Sequence, residues 1–315
     1  MSDPALASEL ITVRDFLRFA VSRFEEAQLS YGHGTDRALD EAAFLILTTL
    51  HLPIDSLEPW LDARLTRAER AKVLDVIEAR VVTRKPAAYI VKSAWIGPHQ
   101  FYVDERVIVP RSYLGEMLNE GLAQRLDMDL APRRILDLCT GSGCLAVLAA
   151  LEFPDAEVVA VDLSSAALQV AAINIERYGL KGRVRLVESD LFAALKGETF
   201  DLILTNPPYV TEAAVAAFPP EYKAEPVMAH DGGADGMDLV RTIIALAGQH
   251  LSADGVMVAE VGTGRETLEA DFIGLPFLWL DSEGSEAEVF ALTAGDLVQP
   301  APKKRGVVTI KQRKK

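Results

Sequence analysis

Hydrophobic residues recur every three or four positions along the first part of the chain, with polar residues between them. The pattern resumes after a glycine-rich break, and Thr66 and Glu69 then have the spacing of a capping box ahead of a further helix. The apolar positions that carry the pattern are Leu10, Val13, Leu17, Ala20, Val21, Phe24, Ala42, Leu45, Ile46, Val73, Val76 and Ile77. We therefore predict a small helical domain over residues 1–86, ended by Pro86.

The next part of the chain is rich in β-branched and aromatic residues. These alternate with other residues from Ala88 to Val109, around Gly97 and Pro98, which predicts a β-hairpin. A short helix is expected after Ser112. Residues 87–130 are therefore interpreted as a hairpin and a connecting helix.

From Arg134 onward, short apolar runs alternate with helical segments. The predicted strands are Ile135 to Leu138, Val158 to Val161, Val184 to Val187, Leu202 to Leu204 and Val256 to Val261. The predicted helices are Leu145 to Leu151, Ala166 to Tyr178 and Leu239 to Leu251. This alternation indicates an α/β fold with a doubly wound, mostly parallel sheet over residues 131–298. Two late runs, Phe277 to Leu280 and Ala287 to Leu292, are separated by Gly284 and are expected to form an antiparallel pair at one edge.

The composition favours a soluble protein. Half of the 315 residues are hydrophobic, enough for one large core and a smaller one. No stretch approaches the roughly 18 uninterrupted apolar residues of a membrane span, and Met1 to Ser8 lacks a signal sequence, so a cytoplasmic location with no membrane partner is expected. Cys139 and Cys144 are interpreted as reduced core thiols, and no metal site is predicted.

Charge is unevenly distributed along the chain. The formal net charge is −14, yet residues 303–315 carry seven basic residues and no acid, so residues 1–302 stand at −21. An acidic body repels nucleic acid and attracts a basic partner, although the charge can also serve solubility alone. The basic segment 299–315 is expected to be disordered, and it is the one part of the chain suited to binding RNA.

A glycine-rich loop follows the first predicted strand of the sheet. Thr140-Gly141-Ser142-Gly143 places backbone amides at the start of a helix, where a ligand can approach closely. Gly141, Gly143 and Ala146 also satisfy the dinucleotide pattern, so a nicotinamide enzyme is an alternative. Asp137 argues against a nicotinamide dinucleotide, because its negative charge disfavours a pyrophosphate but suits a ligand with a cationic amino-sulfonium group. The expected cofactor is therefore S-adenosylmethionine.

Two further acids follow the second and third strands. Asp162 is placed to bind both ribose hydroxyls, which fits either cofactor. Asp190 can accept a hydrogen bond from the adenine amino group, with Leu191 packing beside the ring. The alternative interpretation is that both acids cap helices.

The fourth strand ends in Asn206-Pro207-Pro208-Tyr209. Pro207 holds Asn206 extended, and neither proline has a backbone N–H, so the loop presents acceptors only. We predict that the Asn206 side-chain oxygen and the Pro207 carbonyl hold the two N–H groups of a planar amide, while Tyr209 supplies an apolar face. Asn206, Pro207 and Tyr209 are the predicted catalytic residues, and Asn206 is expected to contact the cofactor as well.

With these motifs in this order, the chain resembles class I methyltransferases, specifically the protein glutamine N(5)-methyltransferases, from about Leu10 to Leu297. Further segments that carry the resemblance are Phe101 to Val107, Pro110-Arg111, Glu225-Pro226 and Asp231 to Gly236. Within this family, Tyr31 to Asp36 and Pro110 to Ser112 are similar to the branch that modifies large-subunit ribosomal protein L-three. The basic tail lies outside the family pattern.

The resemblance implies a role for each part of the chain. The N-terminal helices recognise the protein substrate, and the glutamine is held by the loop from Asn206 to Tyr209. Phe101 and Arg111 line the cleft, and Glu225 caps a glycine-rich loop beside the active site. His33 either stabilises a turn or touches the substrate. The cofactor-binding residues are Asp137, Thr140, Gly141, Gly143, Asp162, Asp190, Leu191 and Asn206.

Other functions remain open at this point. An exocyclic amino group of a nucleobase poses the same chemical problem as an amide, so a nucleic-acid amino-methyltransferase is the main rival. The acidic body and the absence of an inserted target-recognition segment disfavour it. Glutamine methylation of a peptide-chain release factor, and a methyltransferase-like binding module without activity, are the remaining alternatives.

Overall fold

The computed structural model describes residues 4–126, 131–282 and 285–297. The predicted tail at 299–315 and the predicted turn at Gly284 lie outside these described residues. Within them, no helix is long and apolar enough to cross a membrane.

The N-terminal helices pack around one apolar cluster that includes Phe16, Phe24, Leu45 and Ile77. They are α1 (Pro4–Glu9), α2 (Val13–Glu26), α3 (Ala38–Thr49), α4 (Arg67–Thr83) and α5 (Ala87–Val91). The predicted capping box is confirmed, because Thr66 and Glu69 bond reciprocally at the start of α4. A second box starts α2, where Thr12 pairs with Asp15 rather than with the Glu or Gln that the pattern requires.

The predicted hairpin is shorter than expected. Strands β1 (Ala94–Ile96) and β2 (His99–Phe101) pair antiparallel around Gly97, but the prediction that the hairpin begins at Ala88 is wrong. Pro86 precedes the first turn of α5, where proline is tolerated, and the alanines after it favour helix. The prediction also fails beyond β2, because Asp104 accepts hydrogen bonds from the backbone and side chain of Arg106 and so forms a turn.

Two short helices lead to the sheet, α6 (Tyr113–Asn119) and α7 (Leu122–Arg125). The helix predicted after Ser112 is confirmed, since the Ser112 hydroxyl accepts a hydrogen bond from the Gly115 N–H at 3.2 Å and caps α6.

The central sheet has seven strands in the order β5-β4-β3-β6-β7-β9-β8. They are β3 (Arg134–Leu138), β4 (Glu157–Asp162), β5 (Val184–Glu188), β6 (Phe200–Thr205), β7 (Leu251–Glu260), β8 (Leu278–Ser282) and β9 (Ser285–Thr293). Strands β3 to β7 are parallel, whereas β9 runs antiparallel to both β7 and β8. The doubly wound sheet and its antiparallel edge pair are therefore confirmed.

Helices cover both faces of this sheet. They are α8 (Cys144–Glu152), α9 (Ser165–Arg177), α11 (Asp238–Ala247), α12 (Arg265–Asp271) and α13 (Ala294–Leu297). The short helix α10 (Glu212–Ala216) has no buried residue and follows β6 outside the two cores. The predicted extension of α11 to Leu251 is wrong, because α11 ends at Ala247 and Leu251 pairs with Phe200 as the first residue of β7.

Alternation along β3 creates the two cores. Ile135 packs in the cluster that contains α8, whereas Leu136 and Leu138 pack in the cluster that contains Ile243 of α11. Truncating such a fully buried leucine to alanine typically costs about 2–5 kcal/mol. The cores fix β3 beside β6, and strand order reverses between these two strands. Their carboxyl ends therefore form the switch point at which open α/β sheets bind ligands.

Candidate active site

A cavity of about 140 Å³ opens at this switch point. Its sheet side is lined by Gly141, Asp162, Asp190, Leu191, Asn206 and Pro208, all of which the sequence predicts as site residues. The cavity is also lined by Arg106 to Ile108, Pro226, Met228 and Ala229. The sequence predicts no site role for these residues, although Arg106, Val107 and Pro226 belong to segments that carry the family resemblance. Motifs on three separate strands thus meet at one cavity.

The glycine-rich loop turns sharply between β3 and α8. Gly141 and Gly143 have φ of 54° and 78°, in the left-handed region that favours glycine. A side chain at Gly143 would come within 2.9 Å of the Ala171 Cβ, so the glycine also lets α8 approach α9. Cys139 lines the cavity next to this loop, and burial raises the pKa of its thiol, which favours the protonated, weakly nucleophilic form.

Asp162 connects the glycine-rich loop to the end of β4. Its carboxylate accepts hydrogen bonds from the Gly141 N–H and the Ser164 N–H, both at 2.8 Å. Burial raises the pKa of Asp162, although these backbone donors oppose the shift. The interpretation of Asp162 as a helix cap is wrong, because the side-chain cap of α9 is Ser164. Each carboxylate oxygen keeps further acceptor capacity toward the cavity.

Asp190 and Leu191 line the same cavity as Asp162. Asp190 is exposed, and turns rather than a helix follow it, so it is not a helix cap either. Leu191 has φ of 44°, an unusual backbone conformation for a leucine, and its side chain lines the cavity beside Asp190. The pair provides one polar and one apolar group on the same wall.

Asp137 lies beneath the glycine-rich loop rather than on the cavity wall. One of its oxygens accepts hydrogen bonds from the Thr140 hydroxyl and from the Ala146 N–H, the latter at 3.0 Å, and the other has no hydrogen-bond partner among the described residues. Its side chain is fully buried, and burial raises its pKa to about 7 despite the two donors. A buried carboxyl group with a spare acceptor under the loop can respond to a cation bound above it.

The loop from Asn206 to Tyr209 projects from β6 beside the glycine-rich loop. The Thr205 hydroxyl donates to the Leu138 carbonyl at 3.0 Å and so fastens the end of β6 to β3. Asn206 and Pro208 line the cavity, whereas Pro207 is buried. Within the described part of the chain, neither the Asn206 side chain nor the Pro207 carbonyl takes part in a hydrogen bond. Both predicted acceptors are therefore free for a ligand.

Glu260 at the end of β7 and Gly262 just after it contact the Tyr209 side chain. Its hydroxyl donates to Glu260 Oε1 at 3.2 Å, and its ring packs so tightly on Gly262 that a Cβ there would lie 2.8 Å from it. Glu260 also accepts from the Ser112 hydroxyl at 2.7 Å. Sequence reasoning missed Glu260. The available signal was its place at the carboxyl end of a parallel strand, the same edge as the other site residues.

The second glycine-rich loop packs directly on the Asn206 to Tyr209 loop. The Gly232 N–H donates to the Val210 carbonyl at 2.9 Å, and a Cβ at Gly232 would lie only 2.8 Å from the Pro208 carbonyl oxygen. A Cβ at Gly236 would collide with the Tyr209 carbonyl. Gly232 and Gly236 are therefore needed because any side chain would prevent the two loops from packing this closely.

Glu225 does not cap this loop, contrary to the expectation from the resemblance. Its buried carboxylate accepts from the Val109 N–H at 2.7 Å and pairs with both terminal nitrogens of Arg111 at 3.0 and 2.8 Å. His230 Nε2 lies 2.9 Å from it. Burial alone would raise the pKa of Glu225, but His230, His33 and Arg111 together hold it well below its usual range.

Two residues expected to line the cleft lie elsewhere. The Arg111 side chain forms an ion pair with Glu225, and it does not line the cavity. Phe101 is fully buried in the core near α8, with its ring centroid 5.6 Å from that of Tyr178. Its placement is corrected from the cleft to the core, because an aromatic residue that ends a hairpin strand is buried by the helix packed on it. Among the described residues, no group of acids, histidines and cysteines suits a metal ion.

Comparison with known proteins extends these observations. Residues 118–218 match the family model of the methyltransferase small domain. Together with the sheet order and the cavity at its switch point, this match defines the chain as a class I methyltransferase.

Curated relatives narrow the assignment. The chain is 53% identical over 292 residues to the ribosomal protein uL3 glutamine methyltransferase of Neisseria meningitidis serogroup B, covering 93% of this chain and 96% of the relative. The enzyme of that name from Bordetella pertussis is 53% identical over 289 residues, covering 92% and 97%. The one from Bradyrhizobium diazoefficiens is 53% identical over 295 residues, covering 92% of each chain. The chain belongs to the ribosomal protein uL3 glutamine methyltransferase family.

Proposed function

We propose that this methyltransferase transfers a methyl group from S-adenosylmethionine to the side-chain amide nitrogen of a glutamine in ribosomal protein uL3, the L-three protein of the large subunit. The observation that carries the proposal is the pair of free acceptors at Asn206 and Pro207, beside a cavity built from the cofactor-binding motifs. The names of the relatives support the choice of substrate.

The donor set at the cavity suits this cofactor. Asp162 retains acceptor capacity for the ribose hydroxyls, while Asp190 and Leu191 suit the amino group and the face of the adenine. Thr140, Gly141 and Gly143 would hold the remaining part of the cofactor through the loop, above the buried Asp137 carboxyl group. When bound, S-adenosylmethionine supplies an electrophilic methyl group.

The amide nitrogen is a poor nucleophile because its lone pair is delocalised into the carbonyl group. In our proposal, the Asn206 side-chain oxygen and the Pro207 carbonyl each accept one amide N–H, which fixes the direction of the lone pair. Positive charge then develops on the nitrogen, and the two oxygens stabilise it. No general base is required beforehand, because the methylated cation is strongly acidic and loses its proton to solvent afterwards. Tyr209 covers the planar group with its ring.

Charge supports a ribosomal protein as the partner. Residues 1–302 carry a net charge of −21, which attracts a basic protein and repels an acidic one. A glutamine already buried in an assembled subunit cannot reach the Asn206 to Tyr209 loop. We therefore propose that methylation precedes assembly, in the cytoplasm where ribosomal proteins are made.

The direct test uses purified enzyme, methyl-labelled S-adenosylmethionine and purified uL3, with Asn206→Ala as the matched variant. We expect label on uL3 with the natural enzyme. The variant should bind the cofactor normally and lose at least about a hundredfold in turnover, as for removal of a preorganised transition-state contact. Near-normal turnover in Asn206→Ala would contradict the mechanism, and no label on uL3 with the natural enzyme would contradict the function.

A further inference from the structure

One wall of the cofactor cavity belongs to a segment without regular helix or strand. Residues 219–230 contribute Pro226, Met228 and Ala229 to the cavity, and their only regular features are two 3-10 turns, Tyr222–Ala224 and Val227–Ala229. Such a segment depends on its neighbours for its position. It carries two acids, Glu221 and Glu225, whose side chains are fully buried.

Glu221 is held by the N-terminal helices. Its Oε1 lies 2.6 Å from Arg84 Nη2 and accepts from the Ser30 N–H at 3.2 Å. Arg80, which is fully buried and pairs with Glu41 at 2.7 Å, lies 3.9 Å from the same oxygen. Leaving a buried carboxylate without its partner costs several kcal/mol, so this contact strongly favours one position of the segment relative to the helices.

The next residue of the segment, Tyr222, makes a second contact with the N-terminal part of the chain. The Tyr222 hydroxyl donates to the Tyr31 carbonyl at 3.3 Å, and the Tyr222 ring centroid is 4.1 Å from that of His33. A Cβ at Gly32 would collide with the same hydroxyl. His33 Nε2 also lies 3.5 Å from Glu225 Oε2, so the turn at residues 31–34 touches the segment at two points.

We infer that Glu221 is a positioning residue through which the N-terminal helices set the wall of the cofactor cavity. The inference rests on the proposed function, because the cavity wall matters only if the cavity binds S-adenosylmethionine. It assigns the N-terminal helices a role in cofactor binding in addition to substrate recognition. By linkage, a protein substrate that stabilises these helices in place also tightens cofactor binding.

The test measures S-adenosylmethionine binding by calorimetry in the natural protein, Glu221→Gln, Arg84→Ala and Arg84→Lys. None of these positions lines the cavity. We expect the dissociation constant to rise at least about fivefold for Glu221→Gln and Arg84→Ala, the lower end of the usual range for coupled sites, and to be partly restored by Arg84→Lys. Val73→Ala is the matched control, since it weakens the core of the N-terminal helices without removing a contact to the segment. All variants are compared at a temperature at which circular dichroism shows them folded.

Two outcomes overturn the inference. One is that both Glu221→Gln and Arg84→Ala bind S-adenosylmethionine as tightly as the natural protein does. The other is an equal loss of affinity in Val73→Ala, which would indicate general loosening. Amide hydrogen exchange of residues 227–229 separates this claim from the proposed function. Faster exchange in Glu221→Gln and Arg84→Ala than in Val73→Ala supports the inference even if the natural protein fails to bind the cofactor, and unchanged exchange overturns it.

Discussion

The Tyr209 hydroxyl donates a hydrogen bond to Glu260, which lies 51 residues away at the end of the neighbouring strand β7. Glu260 is 1% exposed, and its carboxyl group also accepts from the Ser112 hydroxyl and the Leu114 N–H. One buried acid thus connects the catalytic loop to the cap of α6. The ring that is proposed to cover the substrate amide is fixed by the core, so its position does not depend on the substrate.

This relationship predicts different effects for two variants of Tyr209. Tyr209→Phe should lower the free energy of unfolding by about 1–3 kcal/mol, because it leaves a buried acceptor without its donor. It keeps the ring, so turnover should fall much less than in Tyr209→Ala. Denaturant unfolding and a labelled-methyl assay measure the two effects. The matched control is Tyr178→Phe, whose hydroxyl donates to the Gln100 carbonyl near the surface. Equal losses of stability in both phenylalanine variants would refute the role of Glu260.

A second prediction concerns Asp162 and the cofactor. Asp162→Ala should weaken S-adenosylmethionine binding by about 1.5–3 kcal/mol, the range for lost hydrogen bonds to a charged group. Asp201 is a matched control, because it also accepts two backbone N–H bonds, from Arg133 and Arg134, but at the opposite end of the sheet. Calorimetry should show unchanged affinity in Asp201→Ala. The assignment of Asp162 to the cofactor site would be refuted if Asp162→Ala bound S-adenosylmethionine as tightly as the natural protein. It would also be refuted if the natural protein preferred a nicotinamide dinucleotide.

A third prediction uses the pKa of Asp137, which burial raises to about 7. The unfolded chain ionises this group near its ordinary pKa of about 3.9, so between these values the folded state binds the extra proton. The cost of Asp137 to stability is therefore absent at low pH, grows as pH rises toward 7 and is complete above it. Without cofactor, Asp137→Asn should be more stable than the natural protein at pH 8 and equally stable near pH 4.

Unfolding curves of the two proteins across this pH range provide the measurement. Asparagine keeps an oxygen that can accept from Thr140 and Ala146, so the comparison isolates the charge. The same variant should bind the cationic cofactor more weakly, because it lacks the charge beneath the loop. A pH-independent difference in stability would show that Asp137 does not carry the predicted shift.

Local sequence patterns predicted the sheet well. The central strands of the sheet are mostly buried apolar runs, and the predicted runs overlap all seven observed strands, although Val261 and Phe277 lie one residue outside β7 and β8. The errors occurred where local preference competes with context. Ala88 continues a helical turn after Pro86. Leu251 matches the helical spacing of the apolar residues in α11, but it is the first residue of β7.

The predictions for the candidate site show the same contrast between what local sequence indicates and what packing decides. Motifs that end parallel strands meet at one edge by topology alone, so Gly141, Asp162 and Asn206 could be placed together in advance. The residue pairs that hold the site residues in position could not be predicted. Arg111 and Glu225 are 114 residues apart, and Tyr209 and Glu260 are 51 apart, and no local periodicity connects such positions. Phe101 was misplaced for the same reason, since its burial depends on packing between elements.

The central claim is tested most directly by offering purified uL3, a peptide-chain release factor and intact large ribosomal subunits to the enzyme in parallel, at several salt concentrations. Mass spectrometry then locates the added methyl group. We expect free uL3 to be methylated fastest, on one glutamine side chain, with a rate that falls as salt screens the acidic body. Faster methylation of the release factor, or equal methylation of intact subunits and free uL3, would contradict the account.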